Sequence, residues 1–422
     1  MVKLGYSAYQ LMQKLDYIRV AGTAEETNAA DILWEETKAI GLKPKLEPFE
    51  IDGYTIHKAI LKVTKPFIRE IPVTGYGLSG STPADGITAP FLYAENCNDI
   101  ALSQSRGKIV LLNAHVTPYQ YEKLSKAGVA GFITISGNVI DEREKSDLET
   151  RFLRADRHLK GGELGKIPGV TIRAIDVLEM MKHEPEEVTL ILDQTEMKWN
   201  SRNVIAEIEG TDKNGEWLTI GAHYDSVPFS HGMFDNASGS AIIMEACKYF
   251  AVNRPRRSLR FIWFGAEERG LLGSQYHIKN NPDEIKLTKA MINVDLAGHV
   301  IGHHEFQITA QESVGAMLRF LAQEKGFGAV VQQGIYSSDS TAYADAGVPS
   351  FSFLRSGTVG HGRHDVIDYC SPNAMEKSAA FMLYFTERIV NSEFFPIPPE
   401  IPGDLKDKLD IYFGRKPPED IQ

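Results

Sequence analysis

Apolar residues in the second half of the chain come in short, nearly unbroken runs. They are Trp217-Leu218-Thr219-Ile220-Gly221, Leu259-Arg260-Phe261-Ile262-Trp263-Phe264, Ala290 to Val294 and Val348 to Phe353. Runs of this length without polar alternation predict strands buried on both faces. Ser238 to Phe250, between the first two, has a helical pattern. Strand, loop and helix then repeat. This rhythm predicts an α/β fold with a mixed, mostly parallel sheet sandwiched by helices.

The first fifty residues predict a helix. Thr23 with Glu26 three positions on makes a capping-box signature; Ala29, Ile32, Leu33 and Ile40 follow at helical spacing, and Gly41 ends the run. From about Glu47 the texture turns to short β-type runs such as Ile60 to Val63, punctuated by Gly and Pro through Tyr76 to Pro83. The middle predicts a strand at Gly107 to Leu112, a helix from Gln120 to Lys126, and a Gly-rich turn into a strand at Ala127 to Ile135. The charged run Asp141 to Lys160 reads as a solvated helix or loop. The tail after Phe395 is Pro-rich and charged, and is expected to be extended.

Composition narrows the function classes. The chain has 422 residues, enough for two domains or more. It is 43% hydrophobic and 24% charged, as folded globular proteins are. A net charge of −11 without basic runs argues against nucleic-acid and anionic-membrane partners. No apolar stretch approaches a membrane span, and Met1 to Gly5 does not open a secretory signal. Cys97, Cys247 and Cys370 are odd in number and widely spaced, so they read as thiols in a reducing compartment. The expected location is cytoplasmic, or secreted if a leader has been removed. A homo-oligomer is left open.

The candidate chemistry sits at the strand ends, where an open α/β sheet builds its site. His223 and Asp225 follow the Trp217 run, and Asp235 lies before the Asn236-Ala237-Ser238-Gly239 helix start. Glu267 and Glu268 follow the Leu259 run, Asp295 ends the Ala290 run, and His361, His364 and Asp365 follow the Val348 run. Taken singly, each has an ordinary use: Asp235 could cap a helix, and the glutamate pair could be a solvated turn. His231, His299, His303 and His304 read as polar loop residues. As a set, two histidines and three carboxylates suit zinc, and a carboxylate can bridge two ions. Such a site needs one further carboxylate to take a proton from water, and adjacent glutamates can divide the two roles.

The strings Gly221-Ala222-His223-Tyr224-Asp225-Ser226, Phe234-Asp235-Asn236-Ala237-Ser238-Gly239, Trp263-Phe264-Gly265-Ala266-Glu267-Glu268 and Asn293-Val294-Asp295 occur in this order. Together they resemble the co-catalytic dizinc peptidase family, which includes bacterial secreted aminopeptidases, glutamate carboxypeptidase II and the transferrin receptor. The resemblance implies the zinc-exopeptidase fold and two zinc ions per chain, one completed by His223 and Asp295, the other by Glu268 and His361, with Asp235 bridging. It implies Glu267 as general base, Asp225 as the residue orienting His223, and a cis peptide after Asp235. The family's usual His-Thr-x-x-Asp is here His361-Gly362-Arg363-His364-Asp365, and only His361 keeps the spacing to Asp365. Gly107 to Val110 with Ala127 to Gly131 resemble a protease-associated domain, which implies a β-rich insert acting as a lid or substrate-selecting wall. The implied boundaries are 1–58 with 199–395 for the peptidase domain, 59–198 for the insert, and 396–422 for a C-terminal extension.

The implied activity is that of an aminopeptidase on peptide substrates. A carboxypeptidase or dipeptidase of the same family is the alternative, because Arg355 and Arg363 lie near the last ligand and could receive a carboxylate. A non-catalytic binding module on this fold is the reading from a different class. The intact base and ligand candidates argue against it.

Overall fold

The computed structural model describes residues 4–113, 115–140, 142–143, 148–212 and 215–416. The chain divides into two compact units, residues 1–51 with 199–422 and residues 52–198. Both crossings fall within continuous strands, Lys45–Lys65 and Glu187–Ile208. Because the chain passes between the units inside strands rather than through loops, no linker marks the boundaries in the sequence.

In the larger unit the strand order is Ala329–Gln333, His304–Thr309, Ser350–Arg355, Thr288–Val294, Trp217–His223, Ser258–Phe264 and the end of Glu187–Ile208. The central strands Ser350–Arg355, Thr288–Val294, Trp217–His223 and Ser258–Phe264 are parallel. Antiparallel pairings flank them, with His304–Thr309 on one side and Glu187–Ile208 on the other. The apolar runs are unbroken because both faces are covered. From Ser258–Phe264, Leu259, Phe261 and Trp263 enter the core shared with the helices Leu4–Lys14, Ser238–Val252 and Pro372–Val390. Ile262 and Phe264 face a second core with Ile285, Met291 and Tyr343.

The smaller unit has its own sheet. Ile87–Tyr93 pairs antiparallel with the start of Glu187–Ile208 and parallel with Ile109–Leu111. Gly131–Ser136 and Gly169–Arg173 extend the parallel set, and Val73–Gly75 closes it antiparallel. The helix Pro118–Ala127 starts at a Thr117/Gln120 capping box and ends at Gly128, whose φ of 72° is left-handed. Of the charged run Asp141 to Lys160, Asp141 and residues 144–147 lie outside the described residues. The remainder is almost entirely loop and turn, pinned by buried Leu153 and Leu159.

One expectation is overturned. The tail is not extended: Gly403–Tyr412 is a helix, and its Leu405 and Leu409 pack on Ala344 and Ile401. The two leucines, four apart, form a single apolar stripe, which is enough once a partner surface exists. The surrounding Pro and charged residues hide that stripe in the sequence.

Candidate metal centre

His223 is the last residue of its strand, and Asp295 directly follows another. Asp235 is carried by the loop entering the Ser238–Val252 helix, through a cis peptide between Asp235 and Asn236. Asn236 fixes this loop: its Nδ2 donates to the Val294 carbonyl at 2.9 Å, and its Oδ1 accepts from the Gly239 amide at 2.9 Å. A Cβ on Gly239 would lie 2.2 Å from the Val294 carbonyl oxygen, so only glycine permits this approach. Asp365 holds the other side, accepting from the Phe234 amide at 2.6 Å and the Asp235 amide at 3.0 Å.

These loops bring the candidate side chains together. Asp235 Oδ1 lies 3.1 Å from His223 Nε2, and its Oδ2 lies 3.1 Å from His361 Nε2. Asp295 Oδ1 is 3.4 Å from His223 Nε2, and Glu268 Oε2 is 3.2 Å from His361 Nε2. Glu267 Oε2 stands further off, 3.9 Å from His223 Nε2. Asp225 accepts from the Glu267 amide at 3.0 Å and the Glu268 amide at 3.2 Å, with Oδ1 3.5 Å from His223 Nδ1. Its two hydrogen bonds go to the glutamate turn, and its contact with His223 is the longer one.

The remaining histidines are elsewhere. His231 pairs with Asp16 at 2.7 Å, His303 lies against Ser356, and His304 lies against Arg355. His299 faces the Ile301 carbonyl, and His364 is exposed. Asp339 and Tyr336 also join the electrostatics of the cluster; the Ser338-Asp339-Ser340 string resembles a segment lining the site in the family, but the sequence assigns neither residue a role.

So many acids in one buried space disturb one another. Burial pushes Glu267 well above the usual carboxylate range, against His223, and Glu268, Asp339 and Asp295 push the same way. Burial and Asp235 push Glu268 up to about 7, and burial carries Asp339 up to about 7. Burial alone would disfavour the His223 imidazolium, but the surrounding carboxylates hold its pKa well above the ordinary value. Asp235 is buried too, yet His223 and His361 draw it well below.

The donor set fits divalent cations. Among the described residues, the ligand atoms of His223, Asp235 and Glu268 lie within 4.8 Å of one another, as do those of His223, Glu267 and Asp295. Asp295 Oδ1 and Glu268 Oε1 are buried without a hydrogen-bond partner, a costly state that a cation relieves. A pH dependence follows for chelator-treated protein. Glu267, Glu268, Asp339 and His223 have folded pKa values above their unfolded ones, so the stability they contribute is lost as pH rises. The melting temperature of the metal-free protein is expected to fall between pH 5 and pH 8, by calorimetry, and added zinc is expected to flatten the slope.

Residues 203–386, which contain His223, Asp225, Asp235, Glu267, Glu268, Asp295 and His361, match the model for peptidase family M28. They belong to that family. Aminopeptidase YwaD of Bacillus subtilis is 28% identical to the chain over 364 residues, which are 83% of the chain and 75% of that relative. Leucine aminopeptidase 2 of Trichophyton equinum is 30% identical over 285 residues, 66% of the chain and 54% of the relative. The crystal structure of a zinc aminopeptidase from Bacillus subtilis superposes with a TM-score of 0.77 at 25% identity, covering 95% of the chain and 98% of that structure. The M28 segment thus accounts for the sheet of the larger unit and the site at its strand ends.

Proposed function

We propose that the protein is a dizinc aminopeptidase that removes N-terminal residues from peptides. The observation that carries this reading is Asp235: its two oxygens face two different imidazoles, as a carboxylate shared by two ions must. His223 and Asp295 would complete one zinc position, and Glu268 and His361 the other. Bound there, zinc supplies Lewis-acid polarisation of the scissile carbonyl and acidifies a water.

Glu267 is the acid left over. Its carboxylate takes the proton from the attacking water and returns it to the leaving amine. The turn holds its backbone, so the carboxylate approaches the reacting atoms from a fixed direction. The Tyr336 phenol, kept neutral by burial and by Asp295, Asp235 and Glu267, can donate a hydrogen bond toward developing negative charge.

The aminopeptidase activity of the relatives supports action at the N-terminus. The carboxypeptidase alternative loses one of its two arginines: Arg355 donates to the His299 carbonyl at 2.7 Å and leans on His304 at 3.2 Å. We read residues 59–198 as a protease-associated insert, a reading supported by the separate cores of the 52–198 unit. Among the described residues no helix is long and apolar enough to cross a membrane. The three cysteines are buried free thiols, which supports a cytoplasmic setting.

The test is hydrolysis of one short peptide in three forms: free, N-acetylated and C-amidated. Acetylation is expected to abolish cleavage while amidation leaves it intact. Cleavage of the acetylated peptide, lost on amidation, would establish a carboxypeptidase instead.

A further inference from the structure

The two glutamates on which the proposed function rests sit on a turn whose geometry comes from elsewhere in the chain. Ala266, just before Glu267, has a φ of 54°, a left-handed conformation that a non-glycine residue keeps only when its surroundings impose it. Four consecutive amides of this turn meet buried acceptors. The Gly265 amide donates to Asn203 Oδ1 at 3.2 Å, and the Glu26 carboxylate packs against the turn, facing the Ala266 amide, with Oε1 2.9 Å from where a Cβ on Gly265 would lie. The Glu267 and Glu268 amides donate to Asp225.

The carbonyl side is equally engaged. The Gly270 and Leu271 amides donate to the Glu267 carbonyl at 2.7 and 2.8 Å, and the Leu272 amide donates to the Ala266 carbonyl at 3.1 Å. A Cβ on Gly265 would meet Ser201 Oγ at 2.5 Å and the Arg202 carbonyl oxygen at 2.6 Å, so the turn lies directly on its supports.

The acceptors are themselves anchored. Glu26, on the helix Ala24–Ala39, also accepts from the Gly22 amide and from Ser201 Oγ, each at 2.6 Å. Two hydrogen bonds and the facing Ala266 amide therefore converge on one buried carboxylate. Asn203 Nδ2 donates to Glu47 Oε2 at 2.7 Å and to the Gly273 carbonyl at 3.0 Å, which fixes which of its atoms faces Gly265. Neither residue is among the side chains of the metal cluster, so the ligand count gives them no task.

We propose that Glu26 and Asn203 are positioning residues for this reaction: with Asp225 they hold the Gly265–Glu268 amides and so fix where the Glu267 and Glu268 carboxylates point. The proposal rests on the reading of those glutamates as base and ligand, but part of its test does not.

The experiment compares the zinc-loaded wild type with Glu26→Gln. Glutamine keeps the size but replaces one acceptor oxygen with a donor, so at least one of the converging groups loses its partner. In hydrogen exchange read by mass spectrometry, the segment spanning 265–268 is expected to exchange at least about tenfold faster, as a buried amide without its acceptor does. With short peptides, kcat is expected to fall about 10–100-fold while KM and zinc content stay within about twofold, as for a misplaced catalytic group. Unchanged exchange in the segment, or a lower melting temperature with unchanged kcat per zinc-loaded site, would overturn the proposal. Should Glu26→Gln not accumulate as folded protein, Asn203→Leu removes the neighbouring acceptor and carries the test with the same two outcomes. A wild type that cleaves no peptide would sink the proposed function alone, because the exchange measurement needs no activity.

Discussion

Glu267→Gln is expected to bind both metals and lose nearly all turnover. The substitution is nearly isosteric, and the amide of residue 267 still donates to Asp225, because that hydrogen bond belongs to the backbone. What disappears is the ability to accept a proton. Positioned general-base catalysis contributes about 10²–10⁴-fold, so kcat should fall by that factor with KM little changed. In the metal-free protein, burial and the neighbouring acids Glu268, Asp339 and Asp295 hold Glu267 above the usual carboxylate range, against His223. Steady-state kinetics on metal-loaded protein decide the matter, and a variant keeping more than about a tenth of wild-type kcat, far above the general-base expectation, would remove Glu267 from the role.

Asp235→Ala is expected to be the more damaging change. Asp235 is the residue whose two oxygens separately face His223 and His361, so its loss breaks both halves of the cluster at once. Its amide would still be held by Asp365, and the loop by Asn236, so the fold around it should survive. Zinc content is expected to drop below two per chain. Activity should fall on the order of 10³-fold or more, at least the scale of deleting one donor from a preorganised site. Elemental analysis beside kinetics would show this, and full zinc occupancy in the variant would mean that Asp235 is not shared.

Much of this was legible in the chain. The apolar runs at 217, 259, 290 and 348 became central strands because doubly covered strands cannot alternate in polarity. His223 and Asp295 could be placed because strand ends are easy to find once strands are. The family resemblance points to His361 rather than His364 by its four-residue spacing to Asp365, and in the structure His361 Nε2 lies 3.1 Å from Asp235 while Asp365 accepts from the Asp235 amide.

What stayed hidden is tertiary. Glu26 reads only as the closing glutamate of a capping box, and Thr23 does accept from its amide at 3.3 Å. Its carboxylate, however, turns to Gly22, Ser201 and Ala266, partners that no local pattern announces. Asn203 is equally ordinary in sequence. The Gly403–Tyr412 helix was missed because its apolar stripe is two leucines wide, and only Ala344 and Ile401 make that stripe worth burying.

The measurement that bears most directly on the shared-carboxylate centre is a zinc titration of chelator-treated wild-type protein, with bound metal and peptide hydrolysis followed together. Saturation is expected at two zinc ions per chain, with full activity only as the second site fills. Saturation at a single zinc with full activity would contradict a shared-carboxylate centre, because one ion leaves either His223 with Asp295 or Glu268 with His361 without a purpose.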